Sequence, residues 1–470
     1  MAGLISRDDR DLPTEQRDVL IVGGGLAGLA AGCELADRGF RVRLIERRGF
    51  LGGKVFSFRD KETGLQIDNG QHVFLGCCVE FLGFLDQIGS ADRVYRQDGL
   101  RALIISPRRG TGVIGAVNLP PPLHLLPSFL RFRHLGPLDK LRAGRVLAEM
   151  AHLDPAGVRA ADETDFATWL ADRGQSRAAI DRFWNVIALP TLNDSADRSS
   201  AALALTVFRE GLLRSRRGAD LGYARVGLSD LIAEPAAAYL RARGATIETG
   251  ARVASIDVDE AGAPQIGLAD GRRLTAGRYV LALPPEALWP ILSDRLRADP
   301  FFAPIGRFGT SPIVNVHVWF DRPIVDFDFA GFIDSPLQWV FNKSRILGLP
   351  PEAGQYLAIS LSGAREYVDA QRDELMVRFL GELGRAFPRS GRANALRFTV
   401  IKEPDATFRP VPGIAALRPS NQTPIPNLWL AGAWTDTGWP ATMEGAVRSG
   451  RTAARRIRDA AGFDSQRSIC

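Results

Sequence analysis

The sequence predicts an α/β protein whose principal domain is assembled from pieces far apart in the chain. Three observations carry this. A strand–helix–strand unit stands near the start, and strand and helix signals alternate again between residues 221 and 282. A strand, a proline-marked turn and a helix start then follow near the C-terminus.

Each element follows from its pattern. Residues 18–22 (Asp-Val-Leu-Ile-Val) are a short apolar run, as for a parallel strand buried on both faces. Residues 26–38 read as a helix, with Leu26, Leu29, Ala30, Cys33 and Ala36 at helical spacing, and Gly39 stops it. Residues 41–46 are the next strand. Residues 68–72 (Asp-Asn-Gly-Gln-His) predict a turn leading into a helix at 79–88, and residues 100–119 a hairpin. A largely helical stretch spans 120–220. A helix at 228–243 precedes strands around Thr246, Val253 and Val280. Residues 311–321 alternate like a sheet strand, 357–361 form another, and 370–387 an amphipathic helix. The expected division is a discontinuous Rossmann-like domain of 1–95, 216–300 and 420–470. The remainder, 96–215 and 301–419, forms an α+β substrate domain.

Composition narrows the classes. The 470 residues are 46% apolar and 24% charged, enough for a large core, and a net charge of +6 does not suggest nucleic acid. The first 18 residues are polar, with Arg7, Asp8, Asp9, Arg10 and Asp11, and show no secretory apolar core. Residues 19–33 lack charge but are too short and glycine-rich to span a bilayer. Cys33, Cys77, Cys78 and Cys470 form no C-x-x-C pair, which favours a reduced cytoplasmic setting. The five histidines have no metal-ligand spacing, so no metal site is expected.

Gly23-x-Gly25-x-x-Gly28 follows a strand and opens a helix, and Glu46 ends the next strand. That is the arrangement of a dinucleotide site. The first Gly makes the turn, the second admits the pyrophosphate, and the third lets helix and strand pack. The phosphates meet free N–H groups where Leu26 and Ala27 begin the helix, and the Glu46 carboxylate takes the ribose hydroxyls. Gly110-x-Gly112-x-x-Gly115 fits the same pattern, but Leu119-Pro-Pro-Pro follows it instead of a helix, so it reads as a hairpin turn. Beside Glu46, Gly52-Gly53 permits close backbone approach and Lys54 reaches a phosphate. In the C-terminal element, Gly432 permits close approach and a helix begins near Met443. Its positive end is a counter-pole for the anionic edge of a reduced flavin. Two such elements some 400 residues apart point to one flavin dinucleotide. Acid–base candidates in turn-rich stretches are Asp68, His72 and Asp436, with Asp194 considered beside them. Trp184, Trp319, Trp339, Trp434 and Trp439 are candidates for lining an apolar pocket or stabilising a cation, Trp339 and Trp439 first among them. Residues 119–133 mix large apolar side chains with arginines, followed by Lys140, Arg142 and Arg145. The stretch reads equally as a bilayer contact and as a proline-rich loop on the core.

These residues resemble the squalene-associated FAD-dependent desaturases, that is, the hydroxysqualene dehydroxylases, within the wider flavin amine oxidase and phytoene desaturase group. The matching stretches are 22–28, 46–54, 68–72 with Gly76, 183–193, 338–341 and 431–450; residues 435–450 are the most specific. The resemblance runs from about residue 18 to 458. It implies FAD, an amine-oxidase-like two-domain fold and an apolar C30 isoprenoid substrate. By it, Gly23, Gly25, Gly28, Glu46, Lys54, Val253 and Met443 touch FAD, and Asn193 belongs to the substrate side. Lys54 stands where relatives often have Arg, and loses the bidentate fork. Ala433 stands where desaturases often have Asp. The implied activity is reduction of hydroxysqualene to squalene by hydride from reduced flavin with loss of water, the electron donor being open. The alternatives are a carotenoid or isoprenoid desaturase, a non-catalytic isoprenoid escort, and an amine oxidase, for which no lysine expected beside the flavin is evident in the sequence. The expected location, from the cysteines and the 119–133 stretch, is cytoplasmic, with peripheral contact on the inner membrane face as the bilayer reading of that stretch.

Overall fold

The computed structural model describes residues 17–467 except Thr63, with side chains described to residue 461. The polar stretch before residue 17 and Cys470 lie outside the described residues. Five parallel strands form the first sheet, in the order Thr246–Thr249, Arg41–Glu46, Asp18–Val22, Arg278–Leu281, Leu428–Leu430. The sheet therefore draws on three distant parts of the chain. Leu20, Ile21, Leu44 and Val280 are fully buried, as a sheet covered on both faces requires.

The first helix, Leu26–Asp37, and the last, Met443–Arg467, pack closely against each other. Their approach depends on a missing side chain. A Cβ on Gly450 would lie 2.2 Å from the Ala27 carbonyl oxygen. The glycine-loop helix and the C-terminal helix are thereby packed together.

A seven-stranded sheet forms the second body, in the order Ala395–Phe408, Thr310–Phe320, Gln355–Ser362, Trp339–Asn342, Phe329–Phe332, Arg101–Ser106, Gly110–Gly115. All neighbours are antiparallel except Phe329–Phe332 with Arg101–Ser106. Strand Thr310–Phe320 has two different faces because side chains alternate along it. Val314, Val316, Val318 and Phe320 pack with Leu375, Phe379 and Leu383 of helix Arg372–Ala386. Asn315 and Trp319 lie on the other face, against Asn69 and Ile67 of the glycine-rich domain.

One local expectation needs correction. The turn at residues 68–72 does not run straight into a helix. Strand Val73–Leu75 intervenes, paired with Leu221–Ala224, and helix Val79–Gln87 begins only after it. Three residues are too few to show a strand period, and the partner lies about 150 residues away in sequence.

Candidate cofactor and active site

The glycine loop divides into packing and access. Gly23 has φ +110°, and a Cβ there would lie 2.5 Å from the Ala282 carbonyl oxygen; one on Gly28 would lie 2.0 Å from that of Gly23. Both positions are closed to any side chain. Gly25 differs: the nearest atom to its Cβ position is Gly53 Cα at 3.7 Å, so the space over the helix start is open. Gly25 is the N-cap and offers no side chain, which leaves the amides of the first turn, opened by Leu26 and Ala27, directed outward.

Glu46 is buried, and backbone donors hold both of its oxygens. Gly24 N–H donates to Oε2 and Arg48 N–H to Oε1, each at 2.8 Å. A carboxylate oxygen has further acceptor capacity, so the group is oriented for ribose hydroxyls without being saturated. The Glu46 carbonyl accepts from Ala251 N–H at 3.0 Å, which positions the start of strand Val253–Val258 beside it. Lys54 has another partner: its ammonium lies 2.7 Å from Glu286 Oε1 and also donates to the Asp405 carbonyl. In this arrangement a part-exposed carboxylate, not a phosphate, is its counter-charge.

At the other end, Gly432 has φ +152°, and a Cβ would lie 2.5 Å from Trp434 Nε1. Trp434 in turn donates to the Leu283 carbonyl at 2.9 Å. Arg418 braces the loop that follows. It is buried, donates to the Thr435 carbonyl at 2.6 Å and the Ala433 carbonyl at 3.0 Å, and burial lowers its pKa to about 10. Met443 opens the last helix. The next residue, Glu444, is fully buried and accepts from Phe81 N–H at 2.8 Å and Glu80 N–H at 3.3 Å. It thus caps helix Val79–Gln87, whose own N-cap Cys78 supplies no side-chain bond. Burial raises the Glu444 pKa against the pull of these amides and of Arg448. Asp436 is exposed, and Trp439 is half-buried under the Arg448 guanidinium, 4.6 Å from its ring centre.

Where the second sheet meets the glycine-rich domain, the contact is polar. Asp68 and Lys343 form a buried ion pair at 3.0 Å. Asp68 also accepts from Leu228 N–H at 2.9 Å and Ser57 Oγ–H at 2.8 Å. Burial pushes the Asp68 pKa up, but the Lys343 charge and these donors outweigh it and hold it below the usual 3.8. Lys343 donates to Gln71 Oε1 at 2.9 Å as well. The ion pair and the lowered pKa favour the carboxylate form of Asp68. His72 is half-buried, with Nδ1 2.9 Å from the Gly70 carbonyl. Since a carbonyl only accepts, Nδ1 carries the proton and Nε2 presents a lone pair. Desolvation, aided by the Lys343 charge, lowers the His72 pKa below 6.5 against the opposing effects of Gly70 and Asp68.

Two other expected residues are structural. Trp184 is fully buried among Phe166, Phe183 and Phe208, and its Nε1–H donates to Gln175 Oε1 at 2.9 Å. Asn193 ends helix Asn185–Leu192 at φ +57°. Its amide donates to the Ser311 carbonyl and Thr407 Oγ1 and accepts from Gly363 N–H. The Trp184 indole N–H and both Asn193 amide hydrogens are thus already taken. Trp339 is half-buried against Phe329 and Phe341.

Asn315, His317, Lys343 and Arg418 were not anticipated. Asn315 donates to the Asn69 carbonyl at 3.1 Å, while its Oδ1 is buried without a partner; His317 Nε2 and Trp319 Nε1 are the same. Their spacing at alternate positions of residues 311–321 was the available signal. Buried orphan polar atoms are costly, so such a row fits a polar group bound against it.

The residues present fit FAD: the open helix start at Gly25, the oriented Glu46 carboxylate, the braced loop at Gly432 and the orphan atoms of the facing strand. Bound there, FAD supplies two-electron hydride chemistry.

Comparisons with known proteins agree. The chain is 26% identical to a chloroplastic/chromoplastic 15-cis-phytoene desaturase of Narcissus pseudonarcissus, over 97% of this chain and 82% of that protein. It is 28% identical to a zeta-carotene desaturase of Arabidopsis thaliana, over 94% and 85%. A crystal structure of an oxidoreductase from Methanosarcina mazei shares the fold, with TM-score 0.72 and 17% identity over 93% of this chain and 99% of that one. The family described as flavin containing amine oxidoreductase matches residues 26–458. With nearly its whole length matched, this FAD-dependent oxidoreductase belongs to the flavin containing amine oxidoreductase family.

Proposed function

We propose that the chain is a desaturase of a long apolar isoprenoid. The end-to-end match to the phytoene desaturase, over 97% of this chain, carries this reading. The helical region also holds a small, partly open apolar pocket lined by Ile114, Leu125, Phe129, Phe132, Phe183 and Phe208 among others, with Ser128 its one polar lining residue. Desaturation removes a hydride and a proton from neighbouring carbons and leaves a double bond, with FAD as hydride acceptor. A neutral imidazole suits the proton. His72 has its Nε2 lone pair available and a lowered pKa, which favours accepting a proton over donating one at neutral pH.

A second reading is supported by the run at residues 435–450, which resembles hydroxysqualene dehydroxylases. There the hydride goes to the substrate and the hydroxyl leaves as water, which requires a proton donor. Of the candidates, Asp68 and His72 both favour their unprotonated forms and Asp436 is exposed, so the site supplies that donor less readily.

One pair of anaerobic incubations separates the two. Oxidised enzyme with phytoene, zeta-carotene or squalene should bleach the flavin and yield new double bonds by mass and absorption. Photoreduced enzyme with hydroxysqualene should yield no squalene. Squalene formation, with the hydrocarbons inert, would replace the first reading with the second. Protein purified without flavin absorbance would reject both and favour an escort role.

A further inference from the structure

We propose that residues 107–145 form a docking surface for an anionic lipid bilayer. Among the described residues, eight of the fourteen exposed large hydrophobic side chains fall between Val113 and Leu141. So dense a run of exposed leucine is not explained by ordinary surface composition. The helices here already bury an inner face: Phe129, Phe132, Ala143, Val146 and Met150 point into the core. Leu123, Leu126 and Leu130 stand on the outside of the short helical segment, and Leu138 and Leu141 on the outside of Pro137–His152.

Hydrogen bonds tie these pieces together. Gly115 N–H donates to Ser128 Oγ at 3.0 Å, joining the hairpin to helix Leu126–Arg131. Lys140 Nζ donates to the Leu130 carbonyl at 2.6 Å, joining that helix to Pro137–His152.

Charge selects the partner. Residues 107–145 hold seven Arg or Lys and a single acid, Asp139, so this segment alone carries the net +6 of the whole chain. Asp139 is occupied by Ser176 Oγ–H at 2.8 Å. Arg131, Arg133, Arg142 and Arg145 are exposed beside the leucines. Apolar side chains rimmed by guanidinium groups match the hydrocarbon boundary and phosphate layer of an anionic leaflet. No helix among the described residues is long and apolar enough to cross a membrane, so the contact is interfacial. The apolar pocket lies directly beneath: Leu125 and Phe129 line it. If the isoprenoid reading holds, the docked face delivers the substrate; the docking itself does not rest on that reading.

The test uses the full-length flavoprotein, without substrate, and vesicles of phosphatidylcholine alone or mixed equally with phosphatidylglycerol. Co-sedimentation is expected with the mixed vesicles, weakened by added salt. L130D/L141D and R131E/R142E should each reduce the bound-to-free ratio about tenfold or more. V377D, at an exposed apolar site elsewhere, should not. Flavin content and melting temperature verify that each variant is folded. Absence of wild-type binding to the mixed vesicles would overturn the proposal, as would unchanged binding by both pair variants. Lipid-free self-association lost in L130D/L141D would also overturn it, assigning the patch to a second copy of the chain.

Discussion

Asp68 and Lys343, 275 positions apart, meet at 3.0 Å with both side chains almost fully buried, and join the glycine-rich domain to the seven-stranded sheet. Removing one partner of such a pair leaves the other charge without compensation. We expect K343M and D68N each to destabilise the protein by about 3–5 kcal/mol in urea unfolding, and the double variant K343M/D68L by less than the sum. A D68N protein of unchanged stability but without turnover would show that Asp68 serves chemistry instead.

The pair also sets the electrostatics around His317, whose Nδ1 lies 2.7 Å from the Tyr356 hydroxyl. Burial and the Lys343 charge lower the His317 pKa from 6.5 to about 3. An unfolded chain binds this proton below pH 6.5, whereas the folded one does not until about pH 3. The neutral buried form therefore contributes fully above pH 6.5, and its contribution falls by about 1.4 kcal/mol per pH unit below that, toward roughly 4–5 kcal/mol in all. Stability measured from pH 7 to 4 should fall less steeply in H317Q than in wild type. Equal slopes would reject a neutral buried His317.

Glycines give a prediction that separates folding from cofactor binding. A Cβ on Gly450 meets the Ala27 carbonyl at 2.2 Å, so G450A forces the first and last helices apart and should cost about 1–3 kcal/mol before any ligand is added. A Cβ on Gly25 meets nothing closer than 3.7 Å. G25A should leave the melting temperature of the FAD-free protein nearly unchanged while weakening FAD, followed by flavin fluorescence titration, about tenfold or more. Equal FAD affinity in G25A would mean that the cofactor does not approach this loop.

What the sequence made legible was local. The glycine spacing, Glu46 at a strand end and the helix start at Met443 each rest on a few contiguous residues whose backbone demands are specific. The polar row was half legible: alternation places Asn315, His317 and Trp319 on one face of their strand, but nothing local says what they face. Lys343 and Arg418 gave no signal, because their roles arise only when distant strands pair and bury them. Trp184 misled for the complementary reason. An aromatic residue reads the same whether it lines a pocket or, as here, is enclosed by Phe166, Phe183 and Phe208.

His72 offers the most direct test of the chemistry. With Nδ1–H on the Gly70 carbonyl, its Nε2 is basic only while the ring is neutral, and the ring titrates below 6.5. If it accepts the substrate proton, turnover is constant near neutrality and falls as pH drops through that lowered pKa. H72N should then lower kcat by about 10²- to 10⁴-fold, with KM and FAD affinity little changed, and remove the acid limb of the pH profile. A purely structural His72 predicts the opposite partition: weaker FAD binding or lower stability, and an acid limb that survives in H72N.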